Sequence, residues 1–397
     1  MPSLSQRAGA LKPSATIAMN QRARELKAGG ADIIDLTVGE PDFRPPSAVL
    51  QAASRLALSG ADRYTPVAGI PELRAAAADS YRADGGLSYA PEQLMVSPGA
   101  KSALTSAILA LINPGDEAII PVPAWLSYAE QVKLAGGHPV LIATGADSGY
   151  KLSPRALRAA LSPRTKLLIL CSPSNPTGAV YSAAELEALA AVLHDRPELW
   201  VLSDEVYRAI RYVADAPSPA ALPELYGRCV VVRGLSKSHA MTGWRIGFAA
   251  GPKPLMDACI AIQGQSLTCA AALSQLAGLE ALRGDQAEAR AMVEAYAQRR
   301  AFMTERLAAM PGLRMSAPDG AFYAYPRAEA LLGKTDSAYP LNSSDELALY
   351  LLNEAGVALV PGSAFGDDGA LRISFAAADG LLYEALARMD RALAKLA

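Results

Sequence analysis

From residue 94 onward the chain alternates between two hydrophobic periods. Short, nearly continuous apolar runs at 94–97, 118–121, 138–142, 167–170, 200–203 and 230–233 are separated by helical stretches at 101–112, 125–135, 153–160 and 182–193. Runs that are apolar on both faces, with helices between them, predict a mostly parallel sheet covered on two sides and joined by right-handed crossovers. One more run, 246–250, follows its predecessor so closely that a less regular connection is expected. Upstream, Ile17, Met19, Ala23 and Leu26 mark a helix over 17–29 that Gly29-Gly30 stops. An extended segment at 33–38, the turn-rich Gly39-Glu40-Pro41-Asp42 and helices at 47–59 and 70–82 come next. Downstream, the order changes to an alanine-rich helical region over 268–309, extended runs at 321–325, 357–361 and 371–375, and helices at 344–355 and 380–395. The expected fold is therefore α/β, with a large domain at 48–290. A smaller α+β domain is made from 1–47 and 291–397, and a 281–309 helix is placed to bridge the two.

Composition narrows the classes of function. The 397 residues are 51% hydrophobic and 19% charged, as in a globular soluble chain, and long enough for two cores. A formal net charge of -2 gives no positive field for a nucleic-acid backbone. Four cysteines form no C-x-x-C pair and have only three histidines beside them, a poor basis for a zinc site. Cys171 and Cys229 end apolar runs and read as small hydrophobes, which fits a reducing cytoplasm. The first thirty residues carry arginines and lysines but lack the unbroken apolar run of a signal peptide. The longest apolar stretches, such as 103–112, are too short to span a bilayer.

The densest chemistry lies in Ser236-Lys237-Ser238-His239-Ala240-Met241-Thr242-Gly243-Trp244-Arg245. This segment leaves the strand at 230–233 at the sheet edge where α/β folds place ligands. A desolvated lysine there loses its proton readily and can form an imine with an aldehyde. Ser236 and Arg245 supply a hydroxyl and a guanidinium suited to a phosphate dianion, although a lysine and an arginine on a plain surface would look alike in isolation. Pro98-Gly99-Ala100-Lys101 precedes the 101–112 helix, whose free N–H groups suit an anion, and it lacks the pattern of a nucleotide-binding P-loop. Asp204, ending the strand at 200–203, serves either a ligand or a helix start near Glu205. Trp125 follows Pro121 and Pro123, which favours a turn over a core helix.

This chain resembles the fold-type I pyridoxal-phosphate enzymes, specifically the aspartate aminotransferase superfamily. The likeness extends beyond the lysine segment to residues 11–16, Gly39-Glu40-Pro41-Asp42-Phe43, Arg63-Tyr64-Thr65-Pro66, Gly69-Ile70-Pro71-Glu72-Leu73-Arg74 and Asn175-Pro176-Thr177-Gly178. It continues in Ser203-Asp204-Glu205-Val206-Tyr207, Pro361-Gly362-Ser363-Ala364-Phe365-Gly366 and Leu371-Arg372-Ile373-Ser374. The resemblance implies a seven-stranded, mostly parallel sheet and pyridoxal 5'-phosphate held as a Schiff base by Lys237, which then shuttles the proton. Asp204 would pair with the ring nitrogen and make the ring an electron sink. Tyr207 and Asn175 would meet the phenolic oxygen, and Trp125 would stack on the ring. Ala100, Lys101, Ser236 and Arg245 would hold the phosphate, with Tyr64 reaching it from the neighbouring subunit of a homodimer.

The same resemblance assigns the substrate. Arg372 would clamp the α-carboxylate, helped by Asn175 and the backbone of Gly39. In the bacterial subgroup that this chain resembles, a lysine at the position of Lys101 takes a distal carboxylate, and polar residues matching Ser14 and Thr16 close over it. That implies aspartate and glutamate with their 2-oxo acids, and prephenate in some members. As a rival reading, Lys101 is a solvent lysine, though the field at a helix start disfavours a cation. Within the same fold, β-lyases acting on C–S bonds, decarboxylases and aromatic aminotransferases share Lys237, Asp204 and Arg245. Two departures stand out: Gly99-Ala100 before Lys101, and the tract Gln263-Gly264-Gln265-Ser266-Leu267-Thr268-Cys269. His239 reads as ordinary packing.

Overall fold

The computed structural model describes residues 5–11, 15–60, 63–336 and 339–396. Seven strands form the central sheet: β1 (Leu94–Pro98), β2 (Glu117–Val122), β3 (His138–Ala143), β4 (Thr165–Cys171), β5 (Trp200–Asp204), β6 (Cys229–Gly234) and β7 (Ile246–Ala250). Their order is β1-β7-β6-β5-β4-β2-β3. The pairs β2–β3, β2–β4, β4–β5 and β5–β6 are parallel, whereas β7 runs antiparallel to both β6 and β1. The reason is the link at 235–245, which is too short for a helical crossover, so the chain turns back at the end of β6.

Side chains alternate across the strands into two apolar layers. Val96, Ile119, Leu168, Val201, Val231 and Phe248 pack to one side with Leu73, Ala77, Leu186 and Leu189. Met95, Ala118, Ile120, Leu167, Leu202, Val230 and Val232 pack to the other with Leu104, Ala107 and Ile108 of the helix Ala100–Leu111. Burial on both faces is what the unbroken apolar runs require.

A second core forms around Tyr296, Met303, Leu347, Leu351, Leu386 and Met389. There the helices Ala287–Ala308, Ser344–Ala355 and Asp379–Leu393 accompany a three-stranded antiparallel sheet, ordered Val360–Pro361, Leu371–Ser374, Tyr323–Ala324. The expected extended run at 357–361 divides in two. Val357–Ala358 pairs in parallel with Ile34–Asp35, while Val360–Pro361 pairs with Leu371 and Arg372. The first pairing anchors the chain just before Gly39.

The alanine-rich region is not one helix. Lys253–Ser266, Ala272–Arg283 and Ala287–Ala308 are separate, with breaks at a left-handed Thr268 (φ 70°) and at Gly284. At the second break, the Gln286 amide donates to the carbonyls of Ala281 and Gly284, satisfying groups that the ended helix leaves open. In the departing tract, Gln263 is fully buried and donates to the carbonyls of Val67 and Val96.

The close approach of β7 to the start of the Ala100–Leu111 helix positions the site. A Cβ at Gly247 would lie 2.3 Å from the backbone nitrogen of Ala100 and 2.5 Å from the carbonyl carbon of Gly99. Backbone atoms cannot swing aside, so Gly247→Ala should destabilise the cofactor-free protein by about 3 kcal/mol. Urea unfolding measures this, and an unchanged midpoint would show that the helix start is free to shift.

Candidate active site

The carboxyl ends of β4, β5 and β6 and the start of the Ala100–Leu111 helix open onto a cleft of about 600 Å³. Lys237 enters it from a single helical turn, Leu235–Ser238, immediately after β6. Its Nζ donates to the carbonyl of Gly39. Burial lowers its pKa to about 8; Glu40 opposes that shift, while Arg245 and Arg372 add to it.

Asp204 ends β5 and is 3% exposed. It caps no helix. One carboxylate oxygen accepts the Val206 N–H at 3.1 Å and the other accepts the Tyr128 hydroxyl at 2.6 Å. Burial raises its pKa to about 6, against the lowering effect of those two hydrogen bonds. Among the described residues no lysine or arginine pairs with it.

The phosphate-binding candidates converge at one end of the cleft. Gly99 (φ 85°) precedes the helix and provides no side-chain cap, so the first N–H groups of Ala100 and Lys101 stay available. A Cβ at Gly99 would lie 2.5 Å from the Arg245 guanidinium. Arg245 sits at φ 55°, its Nη1 donating to the Thr242 carbonyl at 3.0 Å, and Ser236 is buried beside it.

At the other end, Arg372 is 2% exposed. Its Nη1 donates to Asn175 Oδ1 at 3.0 Å and its Nη2 to the Thr37 carbonyl at 2.6 Å, while Nε has no partner among the described residues. The rings of Tyr323 and Phe365 lie 4.5 and 5.0 Å from the guanidinium carbon. Asn175 follows a cis peptide at Ser172-Pro173 and precedes another to Pro176. Lys101 Nζ stands 4.7 Å from the centre of the Trp125 ring, and burial together with Arg245 lowers its pKa. Trp125 lies just before the helix Ser127–Leu134, in the turn that its prolines suggest.

The structure thus brings Lys237, Asp204, Tyr207, Asn175, Trp125, Ala100, Lys101, Ser236, Arg245, Gly39 and Arg372 around one cleft. Tyr64 is not among them, being 89% exposed. Ser14 lies outside the described residues, as does the side chain of Thr16. His239 does not line the cleft; it bonds Ser238 Oγ and Gln286 Oε1 at the break before Ala287–Ala308.

Several lining residues carry no role in the sequence reading, among them Tyr128, Tyr323, Glu40 and Thr242. Tyr128 lies three residues after Trp125, its N–H donating to the Trp125 carbonyl in the turn that leads into the helix Ser127–Leu134. Tyr323 arrives from the small sheet, and Glu40 accepts from Thr242 Oγ1 at 2.8 Å. Glu40 and Thr242 stand inside motifs already singled out, whereas no local pattern announces Tyr323. Among the described residues, no helix is long and apolar enough to cross a membrane, and no cluster of acidic, cysteine and histidine side chains could hold a metal.

Comparison with known proteins agrees with this geometry. The family described as aminotransferase class I and II matches residues 31–388. An aspartate/prephenate aminotransferase of Cereibacter sphaeroides is 45% identical over 393 residues, 98% of each chain. The aspartate aminotransferase of Rhizobium meliloti superposes with a TM-score of 0.96 at 40% identity, covering 100% of both chains. That of Thermus thermophilus, solved with maleate, superposes with a TM-score of 0.92 at 41% identity, covering 99% of this chain and 100% of that one. The lysine at the end of β6, the carboxylate at the end of β5 and the match along nearly the whole chain have one meaning: this protein belongs to the class I and II aminotransferases, and its cofactor is pyridoxal phosphate.

Proposed function

We propose that this cleft transfers the amino group of L-aspartate to 2-oxoglutarate, giving oxaloacetate and L-glutamate in two half-reactions at one site. The charge inventory of the cleft carries this reading. Arg372, Lys101 and Arg245 all reach it, and among the described residues none forms an ion pair with a carboxylate. Lys101 and Arg245 are exposed to the cleft and add positive charge there, while Arg372 is buried and needs an anion. An amino dicarboxylic acid supplies two and the cofactor phosphate a third. The Thermus relative, solved with the dicarboxylate maleate, supports the same substrate class.

The residues present fit pyridoxal phosphate. A buried carboxylate without a cation, Asp204, suits a protonated ring nitrogen. The uncapped N–H groups at Ala100 and Lys101, with Ser236 and Arg245, suit the phosphate. Tyr207 and Asn175 suit the phenolic oxygen, and the flat face of Trp125 suits the ring. When bound, the cofactor accepts into its protonated ring the electron pair left on the substrate Cα.

The chain's own residues do the rest. Arg372 grips the α-carboxylate, its guanidinium plane fixed by Asn175 and Thr37. Lys101 takes the distal carboxylate, with Ser14 and Thr16 closing over it. Anchoring the substrate at both ends sets its Cα–H bond toward Lys237. Lys237 Nζ, uncharged above about pH 8 in the cofactor-free site, is the base that takes that proton. A second 2-oxo acid, held by the same two cations, takes up the amino group by the reverse steps.

Prephenate as an acceptor is a second reading, favoured by the names of relatives from Cereibacter sphaeroides and Petunia hybrida. Prephenate also carries two carboxylates, so Arg372 and Lys101 suit it equally. We further infer a homodimer in which the exposed Tyr64 reaches the partner's phosphate site. The proposed division is a large domain at 48–290 and a small one from 1–47 and 291–397, and the cytoplasm is the proposed compartment, consistent with four unpaired cysteines.

Lys101→Ala should lower kcat/KM for aspartate, 2-oxoglutarate and prephenate by roughly 10–100-fold, the loss of one charge-assisted contact. Alanine and phenylalanine, lacking the second carboxylate, should change little; equal losses across a steady-state panel would remove Lys101 from the distal pocket. Uptake of pyridoxal phosphate by the cofactor-free protein should accelerate with rising pH through a midpoint near 8, because only the uncharged amine attacks an aldehyde. A stopped-flow midpoint near the ordinary lysine value of about 10.4 would contradict a desolvated Lys237. Mixing inactive Lys237→Ala with impaired Tyr64→Ala should restore activity, since mixed dimers regain one intact site. No recovery after subunit exchange would mean that sites are not shared.

A further inference from the structure

We propose that Tyr323 is a positioning residue that strengthens the hydrogen bond Tyr207 donates to the cofactor's phenolic oxygen, tying the small sheet to the proton chemistry at Lys237. The proposal rests on the reading that Tyr207 meets that oxygen.

Tyr323 begins the strand Tyr323–Ala324 and pairs with Ser374, two residues beyond Arg372 on the neighbouring strand. It is fully buried yet among the residues lining the cleft, and its hydroxyl lies 2.7 Å from the Tyr207 hydroxyl. Its ring supports the Arg372 guanidinium, a task a phenyl ring would perform as well. The hydroxyl therefore needs its own explanation. Space is kept for it: a Cβ at Gly39 would lie 2.7 Å from the Tyr323 oxygen, and Gly39 has no left-handed backbone to account for its being glycine. Position 39 is small because a phenol occupies that volume.

Direction follows from counting protons. Burial raises the pKa of both phenols, so each keeps its single proton at working pH. Between the free tyrosines either oxygen can donate. Once Tyr207 commits its proton to the phenolic oxygen, only Tyr323 has a proton left for the bond between them. The chain then runs Tyr323 to Tyr207 to the cofactor oxygen, all in one sense. Hydrogen bonds aligned in one sense polarise each other and strengthen. A stronger donor at Tyr207 holds the oxygen as its anion, which lowers the proton affinity of the nitrogen that Lys237 contributes.

The visible absorbance of the bound cofactor against pH reports that nitrogen's protonation. It is to be read for wild type, Tyr207→Phe, Tyr323→Phe and the double variant, all of which keep their rings. Tyr207→Phe should raise the colour midpoint by roughly 1–2 pH units, the loss of a bond to a charged acceptor. Tyr323→Phe should raise it by roughly 0.2–0.6 unit, and the double variant should match Tyr207→Phe alone. If Tyr207→Phe moves the midpoint but Tyr323→Phe does not, or does so undiminished in the Tyr207→Phe background, the proposed chain is wrong. If Tyr207→Phe itself leaves the midpoint unchanged, the reading of Tyr207 fails first and the proposal fails with it.

Discussion

The link between β6 and β7 is the constraint on which the site depends. Residues 235–245 are too few for a helical crossover, so β7 must return antiparallel beside β6. That turn holds Lys237 at one end and Arg245 at the other, both at the carboxyl edge of the sheet. β7 then passes under the start of the Ala100–Leu111 helix so closely that position 247 admits no side chain. Imine-forming amine, guanidinium and helix N-terminus are therefore positioned by one reversal of the backbone.

Burial governs the electrostatics that follow. Lys237 and Asp204 are both enclosed, which pushes each toward its neutral form, the amine down to about 8 and the carboxyl up to about 6. Tyr128 and the Val206 N–H partly offset this for Asp204. Elsewhere along the central sheet, buried carboxylates are paired: Glu205 meets Arg233 and Arg208, and Glu117 meets Arg164. The contrast is informative. In the cleft, Arg372 is buried with only neutral acceptors, an arrangement whose cost is offset when a carboxylate arrives.

The three-stranded sheet and the segment before Gly39 contribute directly to the cleft. Arg372 lies between Asn175, from the loop after β4, and Thr37, which follows the strand Ile34–Asp35. Tyr323, from the adjacent strand, meets Tyr207 across the same boundary. Groups expected to meet the substrate carboxylate and the phenolic oxygen thus share one packed cluster. The helix Ala287–Ala308 joins the same assembly through Gln286, which bonds His239 two residues from the lysine, and through Glu288, which accepts from Ser47.

By itself the sequence determined the sheet and most of the chemistry. Apolar runs at fixed spacing require burial on both faces, and the motifs around Lys237, Asp204, Asn175 and Arg372 are local strings whose roles the family resemblance implies. Its failures have local causes too. Within the region 268–309 the expected helix at 281–309 begins only at Ala287, because alanine suits any helix and nothing local marks the break at Gly284 that Gln286 closes. The run 357–361 looked like one strand because period alone says nothing of partners, and two different sheets claim its halves. Only the tertiary structure decided that Tyr128 meets Asp204 and that Tyr323 meets Tyr207. Those contacts join residues far apart in the chain, and their geometry depends on how two cores pack against each other, which no local pattern of polar and apolar positions encodes.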